Sequence, residues 1–134
     1  MAGDLETQSE IESTIETFFG LVSARNMKVV DEFAAGRDVL LIGSDEGEIA
    51  RGKSSIEAFF TKIFARPDTF DWHSNRLDVC WEGEIAWFFA EGEMTIESAD
   101  GQEKGPYYIS GVMERIGERW YWCQYHGSEP VPVS

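Results

Sequence analysis

The sequence predicts an α+β domain in which three N-terminal helices pack in the concave face of a curled, mainly antiparallel six-stranded sheet. Up to Phe64 the apolar residues recur at helical spacing around one small hairpin. From Phe70 onward they alternate in four long runs. Helices gathered first and a meander gathered last exclude a βαβ alternation. With 134 residues, 43% hydrophobic and 13% aromatic, the chain can bury one sizeable core. A single domain over 1–134, ordered over about 8–130, is therefore expected.

Ile11, Ile15, Phe18, Phe19 and Val22 lie on one face of a helix over 9–24, and Ser9 with Glu12 has the form of a capping box. Asn26 caps a short second helix through Val30 and Phe33, which Gly36 stops. Residues 38–43 form an apolar strand, which Asp45-Glu46-Gly47 turns toward a second strand ending near Arg51. Ser54 and Glu57 repeat the capping pattern, and Ile56, Phe59, Phe60, Ile63 and Phe64 form an apolar face before Arg66-Pro67 ends the third helix. The four strands are expected over 70–82, 84–97, 105–116 and 119–128.

Lys and Arg total 11 against 25 Asp and Glu, a formal charge of -14, so a phosphate backbone is repelled and neither nucleic acid nor an anionic membrane is an expected partner. The opening residues Met1-Ala2-Gly3-Asp4-Leu5-Glu6 hold no basic region followed by an apolar run, and no stretch approaches the roughly 18 apolar residues of a span. A cytoplasmic protein is expected. Cys80 and Cys123 sit in strand-like segments and are expected as buried free thiols, a disulfide being the alternative. Two histidines, no HExxH pattern and no paired cysteines predict no transition-metal site and no cofactor, and Asp45-Glu46-Gly47-Glu48 reads as a solvated turn rather than a calcium loop.

This order of elements, closing on Trp120, His126 and Ser128 in Arg119-Trp120-Tyr121-Trp122-Cys123-Gln124-Tyr125-His126-Gly127-Ser128, resembles the nuclear-transport-factor-2-like superfamily. Its polyketide-cyclase-like (SnoaL-like) branch and the calcium/calmodulin-dependent protein kinase II association domain are the branches it resembles. The resemblance implies a cone-shaped barrel with a central pocket and dimerisation through the sheet. The ketosteroid isomerases of that superfamily use a helix-one Tyr and two strand Asp residues. Those positions fall here on Phe18, about Gly43, and Ser110 or Gly111, so the resemblance does not carry that chemistry to this chain. The association domain's pocket arginines match Glu91, Gly111 and Gly127, none of them basic.

Alternate strand residues share a face. On the last strand, Tyr121, Cys123, Tyr125 and Gly127 are expected toward the pocket. Trp120, Trp122, Gln124 and His126 are expected outward as a homodimer interface, because an exposed Trp row needs a cover. His126 belongs to that interface or acts as a proton shuttle; His73 is expected to be partly exposed. Phe18, Val22, Phe60, Trp87, Phe89, Glu91, Tyr107, Met113 and Tyr125 are the expected pocket residues. Glu91 either sits at the pocket mouth, where burial would raise its pKa and prepare an acid–base group, or marks where the strand emerges into solvent.

Three functions fit these residues. The first is a homodimeric domain binding a small, partly hydrophobic, neutral or cationic molecule. The second is a small lyase, isomerase or cyclase using Glu91. The third is an oligomerisation domain.

Overall fold

The computed structural model describes residues 3–133; Met1, Ala2 and Ser134, which the single-domain expectation takes in, lie outside the described residues. Helix α1 runs from Gly3 to Ser23 and buries Ile11, Ile15, Phe18 and Phe19. It begins well before Ser9, which therefore lies inside the helix rather than capping it. Asp4 and Glu6 instead place negative charge against the N-terminal dipole. A 3₁₀ helix follows over Met27–Glu32, where the Asn26 Oδ1 accepts the Lys28 amide at 2.9 Å. It ends short of Gly36, and Phe33 forms an isolated bridge with Trp122. Helix α2 spans Lys53–Phe64 with Gly52 at its N-cap, so Ser54 also lies within the helix. Ile56 and Phe60 are its buried residues, at the i, i+4 spacing of one face.

The strands are β1 Leu40–Ile42, β2 Ile49–Arg51, β3 Thr69–Glu82, β4 Ile85–Ser98, β5 Gly101–Ile116 and β6 Arg119–Ser128. They form one sheet in the order β2-β1-β6-β5-β4-β3, antiparallel throughout except where β1 runs parallel to β6. The sheet curls around the helices without closing, because β2 and β3 are free edges.

Two irregularities decide which side chains face inward. On β6, Gln124 pairs with Val112 but Trp122 pairs with Met113, so Cys123 is an extra residue. A bulge of this kind breaks the two-residue period and reverses parity beyond it. Trp120 and Trp122, expected on the outer surface, are therefore buried in the protomer's own core at 1% and 0% exposure. Tyr125 and Gly127 also face inward, while Tyr121, which strict alternation would turn inward, faces out. Gln124 and His126 remain on the outer face. The chain after the 3₁₀ helix secures this rim: the Ala34 amide donates to the Trp122 carbonyl at 2.9 Å. Arg119 pairs with the buried Glu32 and lies over the Tyr121 ring at 4.7 Å. A second register shift on β3 lies between Ser74 and Arg76.

On β4 the inward residues are Ala86, Phe88, Ala90 and Gly92, and the large side chains Ile85, Trp87 and Phe89 point outward at 42%, 45% and 43% exposure. The concave face is already filled by α1 and β6. Phe18 packs at 4.6 Å from the Trp122 ring, and Phe88 meets Trp122 edge-on at 5.3 Å. Small residues on β4 are what leave room for them. Both cysteines are free, but Cys80 is exposed rather than buried, because β3 turns it to the outer face.

Candidate functional site

A cavity of about 230 Å³ lies between α1, α2 and the inner face of the sheet. Its walls are rings and alkyl groups. Phe18, Phe19 and Val22 come from α1, Phe59, Phe60 and Ile63 from α2, Leu41 from β1, and Phe70, Trp72, Met94 and Ile96 from β3 and β4. Tyr107 of β5 and Tyr125 of β6 bring two phenols to the same space.

The phenols are held by close packing that two glycines permit. Across from Tyr107, Gly92 has no side chain, so the Trp72 indole lies over β4 and donates its Nε1 to the Tyr107 carbonyl at 3.0 Å. A Cβ on residue 92 would stand 2.6 Å from that indole. Gly127 likewise leaves its space to the Tyr107 ring, which a Cβ there would overlap. The Tyr107 side chain interacts with those of Ser44 and Tyr125. Burial pushes both phenols up in pKa, Tyr125 strongly, so at neutral pH they are protonated hydrogen-bonding groups and not phenolates.

The rim is charged. Gly43, Ser44, Asp45 and Glu48 reach it from the β1–β2 turn, Arg66 and Asp68 from the segment after α2, and Glu129 from the end of β6. A Glu48 Oε1 accepts the Asp45 amide at 3.0 Å. The turn that reads as merely solvated in sequence thus faces the cavity.

Of the expected pocket residues, Phe18, Val22, Phe60, Tyr107 and Tyr125 line this cavity. Trp87, Phe89 and Glu91 do not: they share the outer face of β4, with Glu91 paired between Arg76 and Tyr108. Glu91 is therefore no acid–base group of this site. Met113 is wholly buried but lies off the cavity. His126 and His73 are exposed outside it. Of the positions matched to isomerase catalysis, Phe18 and Gly43 line the cavity without offering an acid. Ser110 shares the outward parity of Phe89, and Gly111 is buried beneath Phe88 and Trp122. Sequence reading missed Trp72, Phe59 and the rim carboxylates. Trp72 had a signal, being the large apolar residue on the inward parity of β3 ahead of its register shift. Glu129 had none, because only the parallel pairing of β1 with β6 brings its neighbourhood to the β1–β2 turn.

Among the described residues, no three His, Cys, Asp or Glu side chains gather as a metal would require, and no helix is long and apolar enough to cross a membrane.

Solved structures share this architecture. A Novosphingobium aromaticivorans protein described as a proposed aromatic ring hydroxylase superposes with a TM-score of 0.83 at 21% identity, covering 97% of this chain and 93% of its own. A Pseudomonas putida NTF2-like protein of unknown function gives 0.82 at 19% identity, covering 97% and 91%. A Xanthomonas campestris protein described as a proposed calcium/calmodulin-dependent protein kinase II association domain gives 0.78 at 19%, covering 92% and 88%. At these identities the likeness is one of fold. A search of the curated proteins finds no match to the sequence. The model of the SnoaL-like domain matches residues 11–134, nearly the whole chain, and the protein belongs to that family.

Proposed function

We propose that this domain binds a small, partly hydrophobic molecule in the cavity between its helices and its sheet, and that it does so as a homodimer. The observation that carries the binding reading is the lining itself: a space of about 230 Å³ walled by aromatic rings, with Tyr107 and Tyr125 as polar groups in its depth. An apolar cavity with a few convergent polar groups is the usual form of a ligand site, and this one lies below the ~300–1,000 Å³ range typical of drug-sized ligands. The protonated phenols suit a carbonyl or hydroxyl oxygen on the ligand. Support for the dimer comes from the outer face of the sheet, where Ile85, Trp87 and Phe89 stand exposed beside Tyr108.

Native mass spectrometry of freshly purified protein tests both parts. A dimer carrying an additional small mass, released on denaturation, is expected. The binding reading is overturned if the protein carries no adduct and no member of a panel of small aromatic and alicyclic compounds shifts its melting temperature.

Structures of this fold are described variously as a proposed dehydratase and a proposed ring hydroxylase, and catalysis on the bound molecule is the second reading. With Glu91 outside the cavity, its chemistry would rest on proton donation from Tyr107 or Tyr125 and on a carboxylate of the rim.

A further inference from the structure

Resting on that binding reading, we infer that the cavity selects a cation: a small hydrophobic amine whose ring or alkyl part fills the aromatic depth and whose ammonium group lies at the rim beside Glu48 and Glu129. The rim carries four carboxylates, Asp45, Glu48, Asp68 and Glu129, against one guanidinium, Arg66. The Arg25 guanidinium lies close to Asp68, donating to the carbonyl oxygens of Pro67 and Asp68. Positive charge is therefore confined to the Arg66–Asp68 side. Asp45, Glu48 and Glu129, which come from the β1–β2 turn and from just past β6, take part in no ion pair among the described residues, where the pairs are Arg37–Glu114, Arg76–Asp78 and Arg119–Glu32.

The uncompensated carboxylates also reach inward. Glu48 and Glu129 both act on the Tyr107 phenol and Glu48 on the Tyr125 phenol, each hindering its ionisation. A positive group among them would relieve repulsion between the carboxylates and border the aromatic lining, where any ring face it meets adds cation–π attraction to the charge term. An anionic ligand would meet the same carboxylates and a chain of formal charge -14. The apolar walls select for a hydrophobic body, and the asymmetric rim selects the sign of its charge.

The test compares three probes of similar shape, phenethylammonium, phenethyl alcohol and hydrocinnamate, by calorimetric titration of the intact protein at neutral pH and low salt. The amine is expected to bind about tenfold more tightly than the alcohol, with the carboxylate weakest, and the preference should shrink as salt is added. In the Glu48→Gln, Glu129→Gln double variant the tighter binding of the amine relative to the alcohol should disappear. Equal affinity of amine and alcohol, or tighter binding of hydrocinnamate, overturns the charge selectivity and leaves the cavity reading standing. Failure of all three to bind overturns the amine selectivity as well, while the cavity reading stands or falls on the adduct and melting-temperature measurements above.

Discussion

Gly111 is where the inward turn of β6 can be tested with one methyl group. A Cβ on residue 111 would lie 2.7 Å from the Phe88 ring, 2.7 Å from the Trp122 ring and 3.0 Å from the Gln124 carbonyl oxygen. None of the three yields easily: Phe88 and Trp122 are 4% and 0% exposed, and the carbonyl belongs to the strand paired with β5. Overpacking of this kind costs about 1–3 kcal/mol. Replacing glycine by alanine also restricts the unfolded chain, which returns about 0.4–1 kcal/mol. The net expectation for Gly111→Ala is a loss of about 1–2 kcal/mol. With a urea dependence of about 2 kcal/mol per molar, the unfolding midpoint should fall by roughly 0.5–1 M. Gly20→Ala is the matched control, since Gly20 lies on the exposed side of α1 and its Cβ would touch nothing within 4 Å. There the midpoint should rise, by roughly 0.3–0.5 M, from helix propensity alone. A neutral or stabilising Gly111→Ala would mean that Trp122 does not cover Gly111, and the simple alternation that sends Trp122 outward would return.

Three other outcomes are expected. Trp87→Glu should give a folded monomer by sedimentation velocity, because the indole is 45% exposed and its loss leaves the core intact; an undiminished dimer would remove the outer face as the interface. Burial raises the Glu32 carboxyl above its usual value of 4.5, against the opposing pull of Arg119. The folded state therefore holds the proton longer, and stability should decline as pH rises from 4.5 through the folded value. Chemical denaturation across that window should show this decline in the wild type and not in Glu32→Gln; parallel curves would refute it. The raised Tyr125 phenol contributes stability that is present below the unfolded value of 10.0 and lost as pH climbs beyond it. Between about pH 9 and 11 the wild type should lose more stability than Tyr125→Phe, and an equal loss in both would place that phenol in solvent.

The order of elements was legible because it rests on local periodicity. Ile11, Ile15, Phe18 and Phe19 can share a face only in a helix, and the long alternating runs after Phe70 suit only strands. Phe18, Phe60, Tyr107 and Tyr125 were legible as cavity residues because they combine such periodicity with an inward position. The side each strand presents was not legible. Cys123 is one extra residue in β6, and nothing in its own sequence announces it: the bulge exists because Met113 pairs with Trp122 while Val112 pairs with Gln124. On β4, size misled as well. Trp87 and Phe89 are larger than Ala86 and Ala90, yet the alanines go inside because helices distant in sequence have already filled that space. The rim joins Glu48 to Glu129 through a parallel strand pairing that no local pattern encodes. Local pattern settles which segments are helix and which are strand, and composition makes the chain acidic and rich in aromatic residues. Tertiary structure alone decided which aromatics enclose the cavity and which carboxylates guard it, because facing and proximity are settled by competition for the same interior volume.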